Sequence, residues 1–281
     1  MNPAAARVLL TGATGGLGRA MARALLDAGA SLLLSARSPE RLAELAAELA
    51  DPAAPGRVAW HAADLADPAA PGALAREAAR REVNVLVNNA GVAGFGRADA
   101  QDPAAVRHLI TTNLVAPMLL TQALLPGLLR QPRAQVIQVG SALGRIGLPG
   151  FSTYSASKFG LRGYSEALRR ELADGPVRVQ YLAPRSTDTG FNDAEVQAYQ
   201  RGTGSATDRP ERVAAALVAL LRSEAAESFV GFPESLAVRL NGLVPSWLDG
   251  AFATHRRHLP ARAAAPDAGR PPTALPPTVT N

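Results

Sequence analysis

The chain has 281 residues, 47% of them hydrophobic, which is enough for a substantial core and excludes disorder of the whole chain. Cysteine is absent and the four histidines (His61, His108, His255, His258) are scattered, which excludes disulfides and thiolate chemistry and argues against a metal site. The net charge of +5 comes from 29 basic residues, almost all Arg, spread along the chain, so a solvated surface is expected and a nucleic-acid partner is not.

The first residues, MNPAAARVLLTG, lack a basic region followed by an apolar run long enough for a signal peptide, and a cytoplasmic protein is expected. RVLLT (7–11) reads as a strand that turns through Gly12, Gly16 and Gly18 into an alanine-rich helix. Glycines in such a turn dispense with a Cβ, let backbone approach a phosphate and let helix and strand pack closely. The pyrophosphate of a dinucleotide would meet the N–H groups and positive dipole end of that helix. SLLLSA (31–36) reads as the second strand. A carboxylate at its end would bond the adenosine ribose of NAD, whereas an Arg suits the extra phosphate of NADP. Ala36 stands where the acid would be and Arg37 follows it, so NADP(H) is expected rather than NAD(H).

Further on, helical patterns over 41–50, 105–130 and 161–174 alternate with strand patterns over 57–61, 83–88, 134–140, 177–183 and 228–232. The apolar stretch 118–129 is broken by polar residues and Pro126 and falls short of the roughly 18 residues of a membrane span. In TYSASKFG (153–160), a spacing of four puts Tyr154 and Lys158 one helical turn apart. Regular alternation with continuous apolar strands predicts an α/β Rossmann-type domain over 1–233, a doubly wound parallel sheet of about seven strands with helices on both faces. Ligands of such sheets sit outside the carboxyl ends of the strands. Apolar residues at near-helical spacing, interrupted by Pro245, predict a helical extension over 234–262. Packing or an oligomer contact is favoured for it over a membrane surface. The stretch 263–281, rich in Pro and Ala, is expected to be disordered.

Taken together, TGATGGLG (11–18), NNAG (88–91), Asn113 in TTNL, Ser141 after the fifth strand, and Tyr154 with Lys158 in YxxxK occur in the order and spacing of one family. The chain resembles the short-chain dehydrogenases/reductases, in their single-domain branch, over about residues 7–233. The resemblance implies an oxidoreductase that moves hydride between NADP(H) and a carbonyl or secondary alcohol. It implies that Tyr154 is the general acid or base and that Lys158 lowers the Tyr154 pKa and holds the nicotinamide ribose. Ser141 would bond the substrate oxygen, and Asn113 would sustain a proton path behind Lys158. The cofactor would lie along Gly12, Thr14, Gly16, Leu17, Gly18, Arg37, Asp64, Leu65, Asn89 and Gly91, then along Tyr154, Lys158, Thr187 and Thr189. Read alone, Ser141 would be a cap or turn residue, Asn113 a structural hydrogen-bonder, and Asp64 the cap of a helix beginning near Pro68.

One departure stands out in APRSTDTGF, where Pro184 and Thr189 are in the family's register but Arg185 replaces glycine. A long cation there would alter the substrate pocket or turn outward to solvent. Substrate choice would rest with 143–151 and with 190–210, read as a lid. Their apolar residues favour a nonpolar carbonyl or alcohol. A homodimer or homotetramer is implied by the resemblance. Two rivals are a nucleotide-binding sensor or scaffold without turnover, and an epimerase or dehydratase of the longer branch. The complete Ser, Tyr and Lys set argues against the first, and the TGxxxGxG spacing with only a short stretch beyond the last strand argues against the second.

Overall fold

A computed structural model describes residues 1–231, 241 and 245–260. Residues 234–240, 242–244, 261 and 262 of the predicted extension and all of the predicted tail 263–281 lie outside the described residues. The seven strands are β1 Arg7–Thr11, β2 Ser31–Ala36, β3 Val58–Ala62, β4 Val85–Asn88, β5 Ala134–Val139, β6 Val177–Pro184 and β7 Glu227–Val230. They form one sheet in the order β3-β2-β1-β4-β5-β6-β7, every neighbouring pair parallel. The order reverses between β1 and β4, which is where a doubly wound sheet opens a crevice at its carboxyl edge.

Alternation along the strands divides the core in two. Val8 and Leu10 of β1 and Val85 and Val87 of β4 face one side, where α1 (Gly16–Asp27), α2 (Pro39–Leu49) and α8 (Pro210–Ser223) contribute Met21, Leu25, Leu42, Leu45, Leu217 and Leu221. Leu9 and Leu86 face the other side, met by Leu74 of α3 (Ala70–Arg80), Leu120 and Leu124 of α5 (Ala116–Leu128) and Leu168 of α6 (Ser152–Glu171). Each such leucine contributes about 1.5–3 kcal/mol by leaving water. The central strands β4 and β5 are buried throughout, whereas edge strand β3 is not, and Trp60 on it is 40% exposed.

Two helical segments differ from their sequence patterns in ways that shape the site. The predicted helix 105–130 is α4 (Pro103–Ile110) running through a π-helical turn, Thr111–Val115, into α5. Pro117 has no N–H to return to the carbonyl of Asn113 four residues back, and the Ala116 N–H reaches five residues back to the Thr111 carbonyl. By length and composition Pro103–Leu128 could cross a membrane, with a mean hydropathy of 1.4, yet Leu120, Leu124 and Leu128 are buried against the sheet. The helix predicted over 161–174 is α6, which runs from Ser152 to Glu171, and its first turns escape the pattern because they carry small polar residues without an apolar stripe. Tyr154 and Lys158 therefore lie on α6. The predicted lid contains α7 (Ala194–Thr203), whose first turn is capped by Asp193 accepting from the Val196 N–H at 2.8 Å.

Candidate active site

At the carboxyl end of β1 the chain turns at Gly12, where φ is +65° and a Cβ would lie 2.8 Å from the Ala90 Cα. Only glycine fits both constraints. A Cβ on Gly18 would collide with the Gly12 carbonyl oxygen, and one on Gly16 would lie 2.9 Å from the Thr189 Cβ. Helix α1 starts at Gly16 with no side chain capping its first turn. An uncapped helix start above a loop without room for side chains fits a dinucleotide pyrophosphate. Thr14 is buried in this loop and its carbonyl accepts from Arg41 Nη2 at 3.1 Å, while Leu17 packs on the core beneath.

The NNAG segment follows β4 and is fastened to the glycine loop. Asn89 Nδ2 donates to the Thr11 and Gly12 carbonyls at 3.0 and 3.3 Å, and the Thr11 hydroxyl accepts from the Asn89 and Ala90 N–H groups. The amide of Asn89 thus holds the loop in shape. At the adenosine end, Arg37 is exposed just beyond β2 and makes no hydrogen bond or ion pair among the described residues. Asp64 is exposed and closes a turn by accepting from the Ala66 N–H at 3.0 Å. It does not cap a helix, since α3 starts only at Ala70. Leu65 packs against the core.

On the other side of the crevice four side chains converge. Tyr154 stands near enough to the Ser141 hydroxyl for that hydroxyl to favour the ionised phenol. The same hydroxyl also accepts from the Leu143 N–H at 3.1 Å, so Ser141 caps its turn as well. Lys158 is buried, donates from Nζ to the Val139 carbonyl at 3.2 Å and lies 5.6 Å from the centre of the Tyr154 ring. Gly91 keeps the approach narrow, because a Cβ there would sit 3.2 Å from Asn113 Oδ1 and 3.9 Å from Lys158 Nζ. Asn113, brought inward by the π turn, clamps Val92 from both sides, accepting its N–H at 2.8 Å and donating to its carbonyl at 3.0 Å.

The electrostatics differ from the expectation that Lys158 lowers the Tyr154 pKa. Burial pushes the phenol up to about 12, opposed only by the Ser141 hydrogen bond, and burial brings Lys158 down to about 8. In the free protein the loss of hydration is therefore the larger influence on both groups.

Arg185 neither enters the pocket nor turns to solvent. Its Nε and Nη2 bond the two carboxylate oxygens of Asp208 at 3.0 and 2.8 Å, and Arg212 Nη1 reaches the same carboxylate at 2.8 Å. Asp208 is buried, and the Arg185 guanidinium holds its carboxyl below the usual range. The backbone of Asp208 also pairs with Ser186 and Asp188, which fixes the loop carrying Thr187 and Thr189. Nothing in the sequence around TDRP singled out Asp208. Above Tyr154 stand Phe95, Phe151 and Tyr199, with ring centres 4.9 to 5.7 Å apart, and His255 lies 5.8 Å beyond Tyr199. The chain after 250 thus reaches the wall of the site.

Residues 6–200 match the family model described as short chain dehydrogenase. The chain is 35% identical over 263 residues to the dehydrogenase/reductase SDR family member 7B of Bos taurus, covering 89% of this chain and 81% of that one. It is 40% identical over 187 residues to sulfoacetaldehyde reductase 2 of Chromohalobacter salexigens, covering 66% and 73%. Among solved structures, a short-chain dehydrogenase from Streptomyces avermitilis superposes with a TM-score of 0.75 at 30% identity, covering 90% of this chain and 98% of that one. A short-chain dehydrogenase from Burkholderia cenocepacia in complex with NADP superposes with a TM-score of 0.74 at 26% identity, covering 90% and 99%. The chain belongs to the short-chain dehydrogenase family and is a dehydrogenase/reductase that works with a nicotinamide cofactor.

Proposed function

We propose that the protein is an NADP(H)-dependent oxidoreductase that reduces a carbonyl compound with a nonpolar substituent, or oxidises the corresponding alcohol. The observation that carries this reading is the convergence of Ser141, Tyr154 and Lys158 at the same carboxyl edge as the glycine loop. The cofactor would be held by the Gly12–Gly18 loop, Asn89, Lys158 and the Thr187–Thr189 loop, and when bound it supplies the hydride. Ser141 holds the substrate oxygen, Tyr154 delivers a proton to it, and Lys158 orients the ribose and supplies positive charge beside the phenol.

Two features support the phosphorylated cofactor. No carboxylate stands at the end of β2, and the exposed Arg37 shares that region with Arg41, whose guanidinium already touches the glycine loop. The rings of Phe95, Phe151 and Tyr199 support an apolar substrate group. Val115, Leu119, Leu129 and Phe159 are exposed along α4–α5 and α6 and suit association with a second copy. The test is the absorbance of NADPH and, separately, NADH mixed with the protein and a panel of ketones and aldehydes. Oxidation of NADPH in preference, lost in Tyr154→Phe, is the expected result. Binding of cofactor without turnover of any carbonyl or alcohol would overturn the reading.

A further inference from the structure

Strand β6 carries a tyrosine, Tyr181, which is among the largest fully buried side chains of the protein. A phenol in such a place needs partners for its hydroxyl. Tyr181 Oη accepts from the Ser141 N–H at 3.2 Å, and its single proton is directed at the Ser141 carbonyl at 3.3 Å and the Lys158 carbonyl at 3.4 Å. One hydroxyl therefore joins the backbones of two residues of the candidate active site that come from different elements, the end of β5 and the second turn of α6. Room for the ring is made by two glycines, since a Cβ on Gly140 would collide with the ring and one on Gly144 with the hydroxyl. Burial raises the phenol's pKa, so it stays a neutral donor over the working range.

We propose that Tyr181 is a positioning residue that fixes the separation between Ser141 and the Tyr154–Lys158 turn of α6. This rests on the function proposed above and adds the residue that sets the geometry of its site. Without the hydroxyl, Ser141 loses its direct backbone tie to Lys158 and the two keep only packing and the Lys158 Nζ bond to the Val139 carbonyl, and a small misplacement of reacting groups is expensive in rate.

The test compares Tyr181→Phe, which keeps the ring, with Tyr164→Phe, which removes a half-buried phenol hydroxyl from the same helical layer without touching Ser141 or Lys158. Lys158 is the only lysine in the chain, so 15N-lysine labelling gives one Nζ resonance whose titration needs neither substrate nor cofactor. Tyr181→Phe is expected to lower kcat roughly ten- to a hundredfold with little change in the KM for NADPH. It is also expected to move the Lys158 midpoint upward by about one unit toward its ordinary value. Gly140→Ala, which displaces the ring instead of deleting the hydroxyl, should move the midpoint the same way, and Tyr164→Phe should move neither quantity. A wild-type Lys158 midpoint in Tyr181→Phe, or an equal shift in Tyr164→Phe, overturns the proposal. If the wild-type protein reduces no carbonyl, the proposed function fails while the titration still decides the role of Tyr181.

Discussion

Lys158 is held at a cost to the fold. Its pKa of about 8 lies well below the usual lysine value because burial removes its hydration, and no carboxylate among the described residues pairs with it. A base whose folded pKa is depressed opposes folding at all pH values below the folded pKa, and the opposition fades as pH rises from there to the unfolded value. At pH 7 the penalty is about 3 kcal/mol by linkage. Lys158→Met should therefore raise the midpoint of urea unfolding at pH 7 while abolishing turnover, and the gain should shrink toward pH 10. An unchanged or lowered midpoint would show that the ammonium is better solvated than its burial indicates. Such an exchange of stability for chemistry is what a functional group in an apolar place implies. Tyr154 and Lys158 were legible in the sequence because spacing by four is a local fact. Tyr181 was not, since its partners lie on β5 and α6 and only folding brings them to it.

At the scale of elements, the segment after β6 shows how a change of residue can be absorbed by its surroundings. Arg185 stands where glycine is usual, and two consequences could be read from the sequence alone, entry into the pocket or exposure. The structure has a third, because Asp208, which precedes α8, accepts both of its donors. The sequence separation of these residues hides the pair, as does the ordinary turn chemistry of TDRP. The fork-shaped contact matters beyond charge, since it ties the Thr187–Thr189 loop to the start of α8 and Thr189 in turn packs on Gly16. Removing the carboxylate charge breaks a two-bond ionic contact between largely buried groups, a loss of roughly 3 kcal/mol. Asp208→Asn should thus lower stability and, because the loop borders the glycine turn, raise the KM for the nicotinamide cofactor about tenfold. Steady-state kinetics with cofactor as the varied substrate checks this, and a KM equal to wild type would separate the clasp from cofactor binding. The lid was legible as a glycine-bounded segment, but not its helix α7, whose short apolar stripe of Val196 and Tyr199 is too sparse to announce a helix.

For the whole molecule, β–α alternation was enough to predict a doubly wound sheet, because strands buried on both faces must be covered by helices on both faces. The contacts that close the sheet at its other end were not visible in that pattern. There Glu224, at the end of α8 with a φ of +57°, takes Arg133 from the approach to β5 at 2.6 and 2.7 Å, together with Gln135 Nε2 and the Met1 ammonium. These partners, Arg133 first, bring the Glu224 carboxyl down to about 2 from an ordinary value of 4.5. Its folded pKa is depressed, so the stabilisation is complete above the unfolded value and disappears as pH falls from about 4.5 to about 2. The side chain is only 13% exposed, and the linkage corresponds to about 3 kcal/mol at most. Glu224→Gln should accordingly lose stability at pH 7, measured by urea unfolding, and should lose nothing further from this site between pH 5 and pH 3, where the parent protein declines. Parallel decline of the two proteins over that interval would mean that the acid sensitivity lies elsewhere. The expected convergence would show that the acid sensitivity of the junction of α8, β5 and the first residue rests on the Glu224 carboxylate, while the Leu221 and Arg222 carbonyls hold the Met1 ammonium and Gln135 at any pH.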